Sequence, residues 1–247
     1  MQKGVPTMAS NENSIAKSSG ESIQSLLEDI QNGKLVLPEM QRGYVWDKER
    51  IISFLDSLYR GYPIGSLMLW KLSDGNDGVA SRQRDFAVEI DQPGSGMAER
   101  MLLDGQQRLT SLMRVLEGKD LKVKGRVRPL KVFFNLDHDK DSQDDGAETD
   151  LPDSLSQRKK IFSIGRDKDF QNSPHWIPLK TALNPDAAME YIDDSLPISD
   201  SNSRRRYYKK IFDLDKLRKT EFSCIVLDSG LSYEEVTEIF IRVNSGG

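Results

Sequence analysis

The chain has 247 residues, 37% of them hydrophobic and 30% charged, and its 39 acidic and 35 basic residues leave a net charge of −4. This composition reads as a soluble globular chain of one large domain or two small ones, and it argues against a strongly basic, dedicated duplex-DNA binder, although a local basic face stays compatible with it. No stretch approaches the roughly 20 apolar residues of a membrane span, and a single cysteine, Cys224, leaves no internal disulfide.

Residues 1–20 are polar, rich in Ser and Asn, and lack the apolar core of a signal peptide. They read as a disordered leader of a cytoplasmic protein. The domain itself is expected over residues 21–247. Ile23, Leu26, Leu27 and Ile30 form the stripe of an amphipathic helix that ends near Asn32-Gly33. Leu35-Val36-Leu37 reads as a short strand. Asp47 is placed to cap a helix carrying Ile51, Phe54, Leu55 and Leu58, with Gly61 at its end. Leu67 to Trp70 reads as a buried strand, and residues 73–96 as a loop around a short strand at Phe86 to Ile90.

Met101-Leu102-Leu103 is a further strand that runs through Asp104-Gly105 into a helix with Leu109, Leu112, Met113 and Leu116 on one face. A strand follows near Val132 to Phe134. Residues 137–158 read as a polar, acidic insertion. A charged helix over Arg204 to Lys219 turns Tyr207, Ile211, Leu214 and Leu217 inward. A strand over Phe222 to Leu227 and a helix over Tyr233 to Val243 close the series. The ending in Ser245-Gly246-Gly247 suggests a domain truncated at its C-terminal end. Strands and helices mix without a regular βαβ rhythm, which points to an α+β fold around one principal core.

Three polar motifs stand out: Gln41-Arg42-Gly43-Tyr44-Val45-Trp46, Asp104-Gly105-Gln106-Gln107-Arg108-Leu109-Thr110, and Phe240 to Gly247. The second has the clearest physics. A helix N-terminus offers unpaired N–H groups and the positive end of the dipole. Gly105 lets an anion approach the backbone, Gln106 and Gln107 add neutral donors, and Arg108 reaches back from one turn into the helix. Asp104 at the strand end can hold a metal ion or orient a water. The same residues also suit a plain helix cap, with Asp104 capping and pairing to Arg108 at i, i+4.

Gln41 and Arg42 suit a second phosphate clamp, or a surface ion pair with Glu39 or Glu49. Tyr44 and Trp46 suit base stacking or packing, and Trp46 is assigned to packing. Arg242 and Asn244 suit a third polar contact or a C-cap. Lys122, Lys124, Arg126 and Arg128 alternate with Leu121, Val123 and Val127, the period of a strand with one basic face; nucleic-acid tracking and a charged edge strand both explain it. The basic run from Arg204 to Lys210 reads as solvated helix surface. His138 and His175 each stand alone and read as solvent-facing loop residues, which argues against a zinc site or a His-dependent nuclease.

Taken in order, these motifs resemble those of the N-terminal domain family of GmrSD-type type IV restriction systems. The resemblance rests on Pro38, Gln41, Arg42, Tyr44 and Trp46, on Gly61-Tyr62-Pro63-Ile64-Gly65, on Asp104 through Thr110, and on Phe240, Arg242 and Asn244. It covers residues 21–247. Met40 departs from the family's usual aromatic residue. The resemblance implies a ParB/sulfiredoxin-like mixed sheet with surrounding helices. It also implies a nucleoside-triphosphate site at Asp104 to Arg108, tied to hydrolysis and accompanied by Mg²⁺, in defence against foreign or modified DNA.

On this view Asp104 and Arg108 are the catalytic candidates, with Asp104 the metal candidate. Gln41, Arg42, Tyr44, Gly105, Gln106, Gln107, Arg242 and Asn244 contact the nucleotide, and Lys122, Lys124, Arg126 and Arg128 contact DNA. An HNH nuclease domain or subunit is the expected partner, a homo-oligomer is compatible, and no membrane is involved. The alternative is a non-catalytic DNA-recognition module that uses the same phosphate-binding groove. Direct DNA cleavage is disfavoured, because no carboxylate cluster suited to two metal ions is apparent.

Overall fold

A computed structural model describes residues 15–38, 46–73, 83–84, 97–139, 160–196, 198 and 200–245, with backbone alone at 83–84 and 244–245. The apolar periodicities become helices where expected. Helix α1 (Ile23–Gln31) buries Ile23, Leu26, Leu27 and Ile30, and the Ser22 hydroxyl accepts from Ser25 N–H at 3.1 Å. Helix α2 (Lys48–Arg60) starts at Asp47, whose carboxylate accepts from Arg50 N–H at 2.9 Å, and ends at left-handed Gly61. Helix α3 (Gln106–Leu116) follows Gly105.

The larger sheet contains β1 (Ala16–Ser22), β2 (Leu35–Pro38), β3 (Ser66–Lys71), β4 (Gln83–Arg84), β5 (Arg100–Asp104) and β9 (Glu221–Leu227), in the order β1-β9-β3-β5-β2-β4. It is mixed: β9 runs parallel to β3 and β2 parallel to β5, and the other pairs are antiparallel. A smaller antiparallel sheet sets β6 (Lys131–Asn135) between β7 (Phe162–Gly165) and β8 (Trp176–Pro178). Short helices α4 (Asp167–Phe170) and α5 (Leu179–Ala182) flank it. Helices α6 (Pro185–Ser195), α7 (Ser201–Asp215, with a 3₁₀ turn over Lys216–Lys219) and α8 (Tyr233–Ser245) complete the described chain. The fold is α+β.

Strand alternation sorts the core into two layers. Leu35, Leu37, Leu67, Leu69, Leu102 and Phe222 join α1, α2, α3, α7 and the smaller sheet in one large cluster. Val36, Met68, Trp70, Met101 and Leu103 face the other way, toward Val236, Ile239 and Phe240 of α8. The central strands are buried on both faces, which is why they read as continuous apolar runs.

Three expectations need correction. The leader does not extend to residue 20: Ala16–Ser22 pair with the whole of β9. The main chain forms that ladder while most of the side chains stay in solvent, so no apolar pattern announces it. His138 is not a surface residue but is 3% exposed, with Nε2 3.2 Å from the Tyr59 hydroxyl and its ring edge-on to Tyr59 and Phe134. The Lys210 ammonium donates to the carbonyls of Leu136 and His138, which draws that turn inward. The basic segment at 121–130 is an irregular loop closed by a Leu121–Leu130 bridge, because Gly125 takes φ +76° and the inside–outside alternation stops there. Residues 86–90 and 140–158 lie outside the described residues.

Cys224 is fully buried, and burial, with a smaller contribution from Glu21, pushes its thiol up to about 11. It stays protonated at neutral pH and offers no thiolate nucleophile. Leu102 occupies the centre of the larger sheet with no exposed area. Leu102→Ala is expected to lower stability by about 2–5 kcal/mol, measured as a shift of the urea midpoint at unchanged m-value.

Candidate functional site

The chain reverses from strand to helix at Asp104-Gly105. Gly105 takes φ +100°, and a Cβ there would lie 2.2 Å from Leu67 Cδ2. Only glycine fits this conformation and this approach. Asp104 is therefore not the N-cap: the cap position falls on Gly105, which has no side chain to offer. In contrast, α1, α2, α6 and α7 are each capped by a side-chain oxygen, from Ser22, Asp47, Asn184 and Asp200. The first turn of α3 thus presents backbone donors without a side-chain cap.

Arg108 does pair with Asp104, at 2.9 Å between Nη2 and Oδ2. Its guanidinium does more than this. Nη1 donates to the Ile64 carbonyl at 3.2 Å and Nη2 to the Ser66 carbonyl at 2.8 Å. Arg108 therefore ties the start of α3 to the Gly61–Gly65 turn that joins α2 to β3. Gly65 has φ +79°, and a Cβ there would stand 2.2 Å from Nη1. The two glycines leave the channel the guanidinium occupies. Nε–H and one Nη1–H find no acceptor among the described residues. The Arg108 side chain is 18% exposed and that of Asp104 47%, so the carboxylate faces solvent from a fixed support.

Gln106, the first residue of α3, is only 7% exposed, and its carboxamide has no hydrogen-bond partner among the described residues. Its amide nitrogen and oxygen are not among the fully buried polar atoms that lack a partner, so they reach solvent. The Gln107 carbonyl accepts from the Ser111 hydroxyl at 2.7 Å. The β3–β5 register slips between Met68 and Leu69, which sets Asp104 opposite Met68 and places the irregularity next to the turn.

The other expected residues are not gathered here by any described contact. Gln41, Arg42 and Tyr44 lie outside the described residues. Pro38, just before their motif, ends β2, and the pairing of Val36 with Met101 brings β2 and β5 to the same edge of the sheet. Trp46 packs, as expected, edge-on against Phe54 at 5.4 Å. Arg242 is exposed and paired with Glu238 at 2.5 Å, and the Asn244 side chain lies outside the described atoms. Lys122, Lys124, Arg126 and Arg128 are all exposed on their loop. Lys124 N–H donates to the Trp46 carbonyl at 3.2 Å, which sets the basic loop at the start of α2, whereas Arg108 grips the chain just after the end of α2. Helix α2 has 13 residues, about 20 Å at 1.5 Å per residue.

Sequence reasoning missed Ile64, Gly65 and Ser66 as partners of Arg108. Their contribution is backbone, and only the paired glycines hint at it. Among the described residues, no group of three or more His, Cys, Asp or Glu is arranged to hold a metal ion, and no helix is long and apolar enough to cross a membrane.

Residues 23–247 match the family model described as "GmrSD restriction endonuclease, N-terminal domain". The chain belongs to this family. It is also 24% identical, over 247 residues, to "Uncharacterized protein MJ0686" of Methanocaldococcus jannaschii, a match that covers 92% of this chain and 39% of the relative. The chain thus spans well under half the length of that relative.

The Arg108 channel makes a paired comparison possible. Gly61 also has positive φ (+76°), but a Cβ there meets nothing within 4 Å. Gly61→Ala is expected to cost about 1 kcal/mol of stability from backbone strain alone, and Gly65→Ala about 3 kcal/mol, because it also displaces the guanidinium. Equal costs by urea denaturation would show that the Arg108 contact contributes nothing.

Proposed function

We propose that this GmrSD-family domain binds a nucleoside triphosphate by its phosphates at the N-terminus of α3 and hydrolyses it, in service of a restriction system directed against foreign or modified DNA. The β5–α3 junction carries the reading. It combines a glycine turn, a helix start without a side-chain cap, a Gln106 amide with no partner among the described residues and an arginine with spare donors. Each of these favours an anion.

Gly105 gives the phosphates access to the backbone. Gln106 and Gln107 donate hydrogen bonds, and the remaining Arg108 N–H groups oppose the negative charge. Asp104, steadied by Arg108, orients the water that attacks the terminal phosphorus. The bond from that phosphorus to the bridging oxygen breaks, and a nucleoside diphosphate and inorganic phosphate leave. A Mg²⁺ ion fits this arrangement in one way only. One exposed carboxylate builds no protein cage, but Mg²⁺ is commonly held by one carboxylate together with substrate phosphates. Gln41, Arg42 and Tyr44 are assigned to the same nucleotide on the family motif, since their segment follows the end of β2 beside β5. Arg242 and Asn244 are assigned to it on the motif alone. The family resemblance also supplies the partners, DNA and an HNH nuclease domain or subunit.

A second reading, DNA binding without catalysis, has its own observation. Lys122, Lys124, Arg126 and Arg128 are exposed, and none is in an ion pair among the described residues.

The first reading is tested by phosphate release from ATP, GTP and CTP with Mg²⁺, with and without DNA. Asp104→Asn keeps the shape and is expected to reduce turnover at least about 100-fold. A variant that binds and hydrolyses as the native protein does overturns the assignment. For the second reading, replacing all four basic residues with Gln is expected to reduce the slope of log K for duplex DNA against log salt by about 3–4. An unchanged slope removes the loop from any DNA interface.

A further inference from the structure

We infer that Tyr62 is the stacking platform for the base of the nucleotide held at α3, an assignment that rests on the phosphate-binding reading above. Tyr62 is 52% exposed, which is unusual for a large ring on a tightly held turn. The turn leaves it little freedom. Its N–H donates to the Ser57 carbonyl at 2.8 Å, left-handed Gly61 precedes it and Pro63 follows. Two residues on, Arg108 grips the Ile64 carbonyl. The Tyr62 hydroxyl is itself hydrogen-bonded to Arg60, which pairs with Asp56 at 2.7 Å. The ring is thus exposed and held in place from both ends.

Position gives this ring its role. Tyr62 and Ile64 are two residues apart, a Cα separation of at most about 7 Å. Ile64 is in direct contact with the guanidinium that lies over Gly105. A phosphate on the first turn of α3 therefore has an exposed aromatic ring within the reach of a nucleoside. The Gln106 side chain, 7% exposed with an amide that reaches solvent and has no partner among the described residues, supports a ligand at this turn independently of the helix dipole. Stacking on an aromatic face accepts every base, so this residue provides affinity for the nucleoside without choosing among bases. A ring already fixed loses little entropy when it is covered.

The test compares the native protein with Tyr62→Ala, Tyr62→Phe and Tyr62→Trp for binding of ATP, GTP, CTP and UTP, with inorganic tripolyphosphate as a probe that lacks a base. Tyr62→Ala is expected to weaken every nucleotide about 10-fold and to leave tripolyphosphate unchanged. Tyr62→Phe is expected to bind as the native protein does, and Tyr62→Trp to bind with quenching of the new indole. Thermal melts of the variants confirm an intact fold. If the native protein binds nucleotides and Tyr62→Ala binds them equally well, the stacking assignment falls and the phosphate site stands. If tripolyphosphate weakens in parallel with the nucleotides, Tyr62 acts through the turn and the assignment also falls. If the native protein binds neither nucleotides nor tripolyphosphate, both readings fall together.

Discussion

The arrangement at the sheet edge depends on where one guanidinium can go. Arg108 sits 18% exposed, and a cation so placed needs acceptors. It finds two carbonyls in the turn between α2 and β3 and one carboxylate at the end of β5. The constraint is reciprocal. Without the arginine, the Ile64 and Ser66 carbonyls lose their charged donor, and Asp104 loses the group that fixes its rotamer. Hydrogen bonds to charged groups contribute about 1.5–3 kcal/mol each, so the junction is held more firmly than an ordinary turn. The glycines at 65 and 105 follow from the same fact, because a side chain at the first would enter the guanidinium and one at the second would strike Leu67. Two motifs about 40 residues apart in sequence thus form one mechanical unit.

Topology sets that unit at the carboxyl ends of the parallel strands. β2 and β5 are parallel neighbours, so both bring their carboxyl ends to one end of the sheet. β3 is antiparallel to β5, so its first residues return to that end, bringing the Gly61–Gly65 turn with them. In open sheets, ligands gather at the carboxyl ends of parallel strands. The faces of this sheet are filled by the two apolar clusters, which leaves its edge for polar chemistry.

Much of this was legible in the sequence wherever one side of an element is apolar. The stripe Tyr207, Ile211, Leu214, Leu217 gave α7, all four residues being buried, and Asp47 and Gly61 gave both ends of α2. What escaped was structure made by backbone, by very short elements, and by α6, an 11-residue helix that buries only Ala188 and Ile192 and so shows no apolar stripe. β1 pairs through its main chain and exposes Lys17 to Gly20. β7, β8, α4 and α5 have three or four residues each, too few to establish a period. The basic segment misled because Leu121 and Val123 do point inward, but Val127, beyond Gly125, is fully exposed. At the site, the i, i+4 pair of Asp104 and Arg108 could be read directly. The carbonyls that complete it could not, since an acceptor on the main chain carries no residue-type signature. The burial of Gln106 was equally hidden, because helix periodicity says nothing about what covers a first turn.

The charge distribution adds a last consequence. The chain carries a net charge of −4, so its overall field does not draw anions from a distance. On the proposed function, a phosphate at α3 would meet short-range donors, most of them uncharged: backbone N–H groups, the Gln106 amide and the residual N–H groups of an arginine already neutralised in part by Asp104. Such donors release few counterions when they bind, and salt screens them weakly. The loop at 122–128 concentrates full positive charges in solvent, and the hold on a polyanion that the second reading proposes for it would fall steeply with salt. It meets the chain at the start of α2, whereas Arg108 holds the turn beyond the end of that helix. A small phosphorylated ligand at the turn and a long polyanion at the loop therefore need not compete. Ionic strength would separate the two proposed contacts, one at the glycine turn surviving high salt and one at the loop being lost.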